Sequence, residues 1–158
     1  MTASPVTRFA ILAAACTLPF AIADAQTAPA DYSNSATAPG SWSYVAIAGG
    51  SEARFMDATG TIRLVVGCSR ATRQVTIART SAAPAASVSV WTSSLSRDVP
   101  ARFEPNAMRV SAQLAAFDGL LDAIVFSRGR FAVSMPGFSA LVVTAGPEAA
   151  RVIEDCRS

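Results

Sequence analysis

Histidine is absent from the 158 residues, and so is lysine, all 13 basic residues being arginine. The first absence removes the commonest neutral-pH proton shuttle and the commonest metal ligand, so a catalytic triad built on imidazole is excluded. The 11 acidic residues nearly cancel the arginines and leave a formal charge of +2. The arginines are also scattered, with no concentrated basic face of the kind a phosphate backbone needs, which argues against nucleic acid and anionic lipid as partners. Cysteine is scarce at three, and no cluster of ligands at metal spacing occurs, so neither a metal nor another cofactor is expected. The longest apolar run, Phe9 to Ile22, is shorter than the ~20 residues of a spanning helix, and Pro19 interrupts it, so no membrane span is expected.

What is present begins with an export signature. Arg8 supplies a positive start, the apolar run follows, and Ala23-Asp24-Ala25 gives the small-x-small pattern that signal peptidase accepts. Residues 1–25 are therefore expected to be a signal peptide, cleaved before Gln26, and the mature protein to be periplasmic or secreted. Ala13-Ala14-Ala15-Cys16 loosely matches a lipobox, and acylation at Cys16 is the rival reading. Its first position lacks the usual larger aliphatic residue, and little apolar sequence precedes it.

If Cys16 leaves with the leader, Cys68 and Cys156 remain as an even pair in an oxidising compartment and are expected to be bridged. A catalytic thiol would need a base, and a zinc site would need more ligands.

Residues 26–40 are rich in Ala, Thr, Ser and Pro without apolar periodicity, which predicts a flexible linker. Residues 41–158 then read as a single disulfide-stapled domain, mainly β, antiparallel and sandwich- or barrel-like, because short β-type runs alternate with turn residues at regular spacing. Ile62, Leu64, Val66 and Cys68 share one strand face. Val75 and Ile77 point inward on the next strand, and Trp91 falls opposite Val88 and Val90. Pro100 marks residues 99–104 as an edge strand or loop, since proline lacks a ladder donor. Asp118 predicts the cap of a short helix near 118–126, and Pro136-Gly137 a tight turn. In the tail, Ala149, Val152, Ile153 and Cys156 recur at helical spacing behind Pro147, so a C-terminal helix presents its cysteine to the sheet.

Few constellations carry chemistry. Gly137-Phe138-Ser139-Ala140 begins like a nucleophile elbow but lacks its last glycine and a base. Asp118 and Asp122 would share a helix face, and a close carboxylate pair can do acid–base work; the competing account is a cap and a solvated charge. Phe126-Ser127-Arg128-Gly129-Arg130-Phe131 is the richest stretch. Arg128 and Arg130 could grip an anion or a partner with their planar forks, or remain in water while both phenylalanines enter the core. Trp42, Tyr44 and Trp91 are candidates for a recognition patch or for core packing.

The order of Ile62 to Cys68, Arg73 to Thr80, Arg130 to Phe138 and Glu148 to Cys156 resembles the periplasmic accessory proteins of type VI secretion, the TagO type. That resemblance implies a non-enzymatic envelope protein that positions or recruits partners, and it carries over no functional residue. Three functional expectations follow. The first is a non-catalytic binding or accessory protein of the bacterial envelope with a protein partner there. The second is an inhibitor whose Arg128-Gly129-Arg130 loop enters the acidic cleft of a hydrolase. The third is a histidine-free hydrolase or lyase using Asp118 and Asp122.

Overall fold

The computed structural model describes residues 30–158; the leader, its cleavage point and Cys16 lie outside them. The described chain is mainly β, as the alternation predicted. It runs through β1 (Gly40–Ile47), β2 (Gly50–Asp57), β3 (Ile62–Ser69), β4 (Gln74–Thr80), β5 (Ser87–Trp91), β6 (Ser96–Glu104), β7 (Arg109–Ala115), α1 (Gly119–Val125), β8 (Arg130–Met135), β9 (Phe138–Thr144) and α2 (Pro147–Arg157). Nine antiparallel strands form one curled, half-barrel sheet in the order β1-β2-β3-β4-β7-β6-β5-β8-β9. Paired residues share a face, so Phe55 with Leu64, and Val66 with Ile77 and Ala112, line the concave side and are fully buried.

β6 corrects one expectation. It is an interior strand rather than an edge, and it changes neighbour along its length: Ser96 to Pro100 pair with β5, while Ala101 to Glu104 pair with β7. Pro100 sits at the changeover. Successive amides alternate sides, and Ala101 N donates to Ala86 O, so the donor missing at 100 falls on the β7 side, where that ladder has already ended. Two side chains also depart from the expected pattern. Ile62 is partly exposed, and Phe126 is 79% exposed beyond the end of α1, so of the two phenylalanines only Phe131 enters the core.

The Pro136-Gly137 turn joins β8 to β9, with Gly137 at a φ of 80° that favours glycine. Gly50 is required for a different reason: a Cβ there would lie 1.9 Å from Cys68 O, a backbone atom held between two ladders.

α2 packs on β1 to β4, burying Ala149, Val152, Ile153 and Cys156, the four residues of its predicted stripe. Cys156 is bonded to Cys68 with a Cα separation of 5.4 Å. Arg157 fixes the end of the helix, donating to Ala116 O at 2.9 Å and to Asp122 at 2.7 Å, and so ties α2 to α1.

The described part of the expected linker is docked rather than free. Ala38 N donates to Val142 O on β9 at 2.7 Å, and Gly40 already belongs to β1. Trp42 continues the seam: its indole donates to Thr144 O at 2.9 Å, meets Phe55 edge-on and stacks near Phe131. The two ends of the sheet are thereby drawn together. Ahead of the seam, Tyr32 meets Trp91 edge-on at 6.0 Å, and Arg130 donates to Ser35 O.

Candidate binding cleft

Asp31 and Ser33, in the same N-terminal segment, form one wall of a cleft of about 610 Å³, a size within the range of small-ligand sites. The opposite wall is the turn between β5 and β6, from Trp91 through Thr92, Ser93, Ser94 and Leu95 to Ser96, and the third is the turn into β8 that carries Arg128 and Arg130. Trp91 and the two arginines, some forty residues apart in sequence, meet here because β5 and β8 are neighbours, with Trp91 opposite Ala132.

The two turns are laced together. Ser127 Oγ accepts from Ser93 N at 3.1 Å, and Ser93 Oγ accepts from Arg128 N at 3.1 Å. Within the first turn, Thr92 Oγ1 accepts from Leu95 N at 3.0 Å and from Ser94 N at 3.3 Å. Buried Ser127 also donates to Arg130 O. The serines of the two turns thereby form a hydrogen-bonded frame beneath the arginines. Arg128 is exposed and makes no ion pair among the described residues, and Arg130 is half-buried with its Nη1 on Ser35 O. Asp31 lines the cleft and accepts from Ser33 N and Ser33 Oγ at 2.9 and 3.1 Å.

Asp118 and Asp122 do not form a carboxylate pair. Asp118 caps α1, accepting from Leu120 N at 2.8 Å, and takes both oxygens' contacts from Arg97 Nη2 at 2.7 and 2.8 Å. Asp122 is bonded to Arg157. Burial alone would raise the pKa of Asp118, but the Arg97 guanidinium and the Leu120 amide outweigh it and hold the carboxyl below its ordinary range. A group depressed in the folded state adds stability above its unfolded pKa and loses it as pH falls through the folded value. Asp118→Asn keeps a competent cap but loses the charge opposite Arg97, so it is expected to cost less than about 1 kcal/mol at neutral pH and to flatten the acid limb of the stability curve below about pH 4. Urea unfolding across that range checks it; an acid limb unchanged in the variant would show that Asp118 is not its source.

Trp42 and Tyr44 serve packing rather than the cleft. Tyr44 Oη donates to Asp155 at 2.7 Å, and the Arg151 guanidinium lies 3.9 Å over its ring. Among the described residues, no group of three or more Cys, Asp or Glu is placed to hold a metal ion, and no helix is long and apolar enough to cross a membrane. Comparison with protein-family models, with curated proteins and with solved structures finds no match to this chain.

Proposed function

We propose that the chain is an exported, non-catalytic binding or accessory protein of the bacterial envelope, which holds an anionic group of its partner in the cleft between Trp91, Arg128 and Arg130. One observation supports it above the others: the two arginines marked by the sequence line one cleft together with an aromatic side chain, and among the described residues no carboxylate lies within ion-pair distance of Arg128. Export is supported by the leader pattern and by the Cys68–Cys156 bridge, which suits an oxidising compartment. The two aspartates suggested for hydrolysis are each neutralised by an arginine, which speaks for a structural role. Arginines lining a hollow receive a group from a partner rather than entering a partner's cleft, and this favours binding over inhibition.

Two measurements test the proposal. Fractionation with intact-mass analysis should find the mature chain outside the cytoplasm, beginning at Gln26. Photo-crosslinking from the cleft rim in whole cells should then yield a specific adduct that is lost in Arg128→Ala/Arg130→Ala. A cytoplasmic, uncleaved chain, or an adduct indifferent to both arginines, would sink it.

A further inference from the structure

The chemistry of the cleft narrows what can occupy it. The backbone amides of both turns are already committed: Ser93 N to Ser127 Oγ, Ser94 N and Leu95 N to Thr92 Oγ1, Arg128 N to Ser93 Oγ and Gly129 N to Ser127 O. A phosphate cradled by a nest of amides finds none free here, so the anion falls to the guanidiniums of Arg128 and Arg130, whose planar forks match the two oxygens of a carboxylate.

The rest of the lining is an aromatic plane set among hydroxyls. Trp91 is half-buried, Leu95 is the other apolar side chain, and Ser33, Ser94, Ser96 and the Asp31 carboxylate complete the surface. Such a lining suits a ring with an apolar C–H face and hydroxyls at its edge, more than it suits a lipid or an apolar side chain. An extended acidic peptide would seek a free strand edge for its backbone. β5 offers none beside the cleft, because Trp91 is paired with Ser96 on one side and Ala132 on the other.

We infer that the cleft binds a carboxylated sugar of the uronic-acid type, with the carboxylate on Arg128 and Arg130, the ring against Trp91 and hydroxyls toward Ser94, Ser96 and Asp31. This rests on the binding reading above and supplies its ligand class.

The test is amide NMR titration of the mature exported chain with four probes: a short oligogalacturonate, a neutral cello-oligosaccharide, a short polyglutamate peptide and inorganic phosphate. Oligogalacturonate is expected to shift the amides of 91–96 and 128–130 saturably, the neutral sugar to leave them unmoved, and Arg128→Ala to weaken the uronate response roughly tenfold or more. Arg128 is exposed and its side chain holds nothing else among the described residues, so that variant keeps its fold. Polyglutamate or phosphate saturating the same amides as tightly would overturn the sugar assignment and leave the cleft a binding site. A silent cleft with all four probes overturns the inference as well; if the in-cell adduct still depends on the arginines, the binding reading survives it, and otherwise both fall.

Discussion

Replacing Cys68 and Cys156 with alanine is expected to lower stability by about 4.5 kcal/mol, a large share of what holds a domain of this size together. The bridge spans 88 residues, and a cross-link of that length removes much of the freedom of the unfolded chain. It also joins two buried positions, one on β3 and one on α2, so the helix that covers β1 to β4 is held covalently to the sheet it covers. At roughly 3 to 5 °C per kcal/mol for a domain of this size, the melting temperature should fall by roughly 15 to 20 °C. Thermal unfolding of the two forms measures it, and wild type in reductant should reproduce the variant. A fall of only a few degrees would mean that packing of Ala149, Val152 and Ile153 holds α2 without the bond.

Arg79→Ala is expected to cost about 3 kcal/mol, far more than an arginine usually carries. Arg79 is 7% exposed on the concave face of β4, where its parity with Val75 and Ile77 points it inward. Its Nη1 donates to Val133 O at 2.8 Å and its Nη2 to Ser139 O at 2.6 Å. Both carbonyls flank the irregularity where β8 and β9 slip register between Val133 and Met135, so the fork satisfies acceptors that the ladder leaves over. Burial, and then the charge of Arg63, lower its pKa, yet the guanidinium remains a cation at neutral pH because its ordinary value is so high. Arg79→Lys should recover only part of the loss, since a single ammonium cannot present two parallel donors. Urea unfolding gives the energies, and amide exchange should show the β8–β9 hairpin opening first. An alanine variant within about 1 kcal/mol of wild type would mean that water replaces the fork without penalty.

Local patterns foretold what local physics decides. The stripe Ala149, Val152, Ile153, Cys156 gave α2 and its buried face; the Asp118 carboxylate gave the start of α1; the period-two run to Cys68 gave the strand and the inward sulfur. Arg128 and Arg130 stood out because two forks flank a glycine, and both line the cleft beside Trp91. What could not be read is what depends on distant partners. The acceptors of Arg79 lie 54 and 60 residues onward, and the bond from Arg130 to Ser35 spans 95. Nothing near Tyr32 or Asp31 in sequence announces a docking site, so composition alone read the segment as a tether. Pro100 misled for a related reason: its missing donor forbids a central ladder only where both sides are paired, and β6 has one neighbour at a time.

The seam at Ala38 and Trp42 also bears on what the last strand can offer to another chain. Two carbonyls on the outer side of β9, those of Val142 and Thr144, are taken by the chain's own amide and indole. A proteolytic cut between Ala38 and Gly40 would free the first of these while Trp42 kept the second, and the outer side of β9 would then offer an unanswered acceptor to a neighbouring strand.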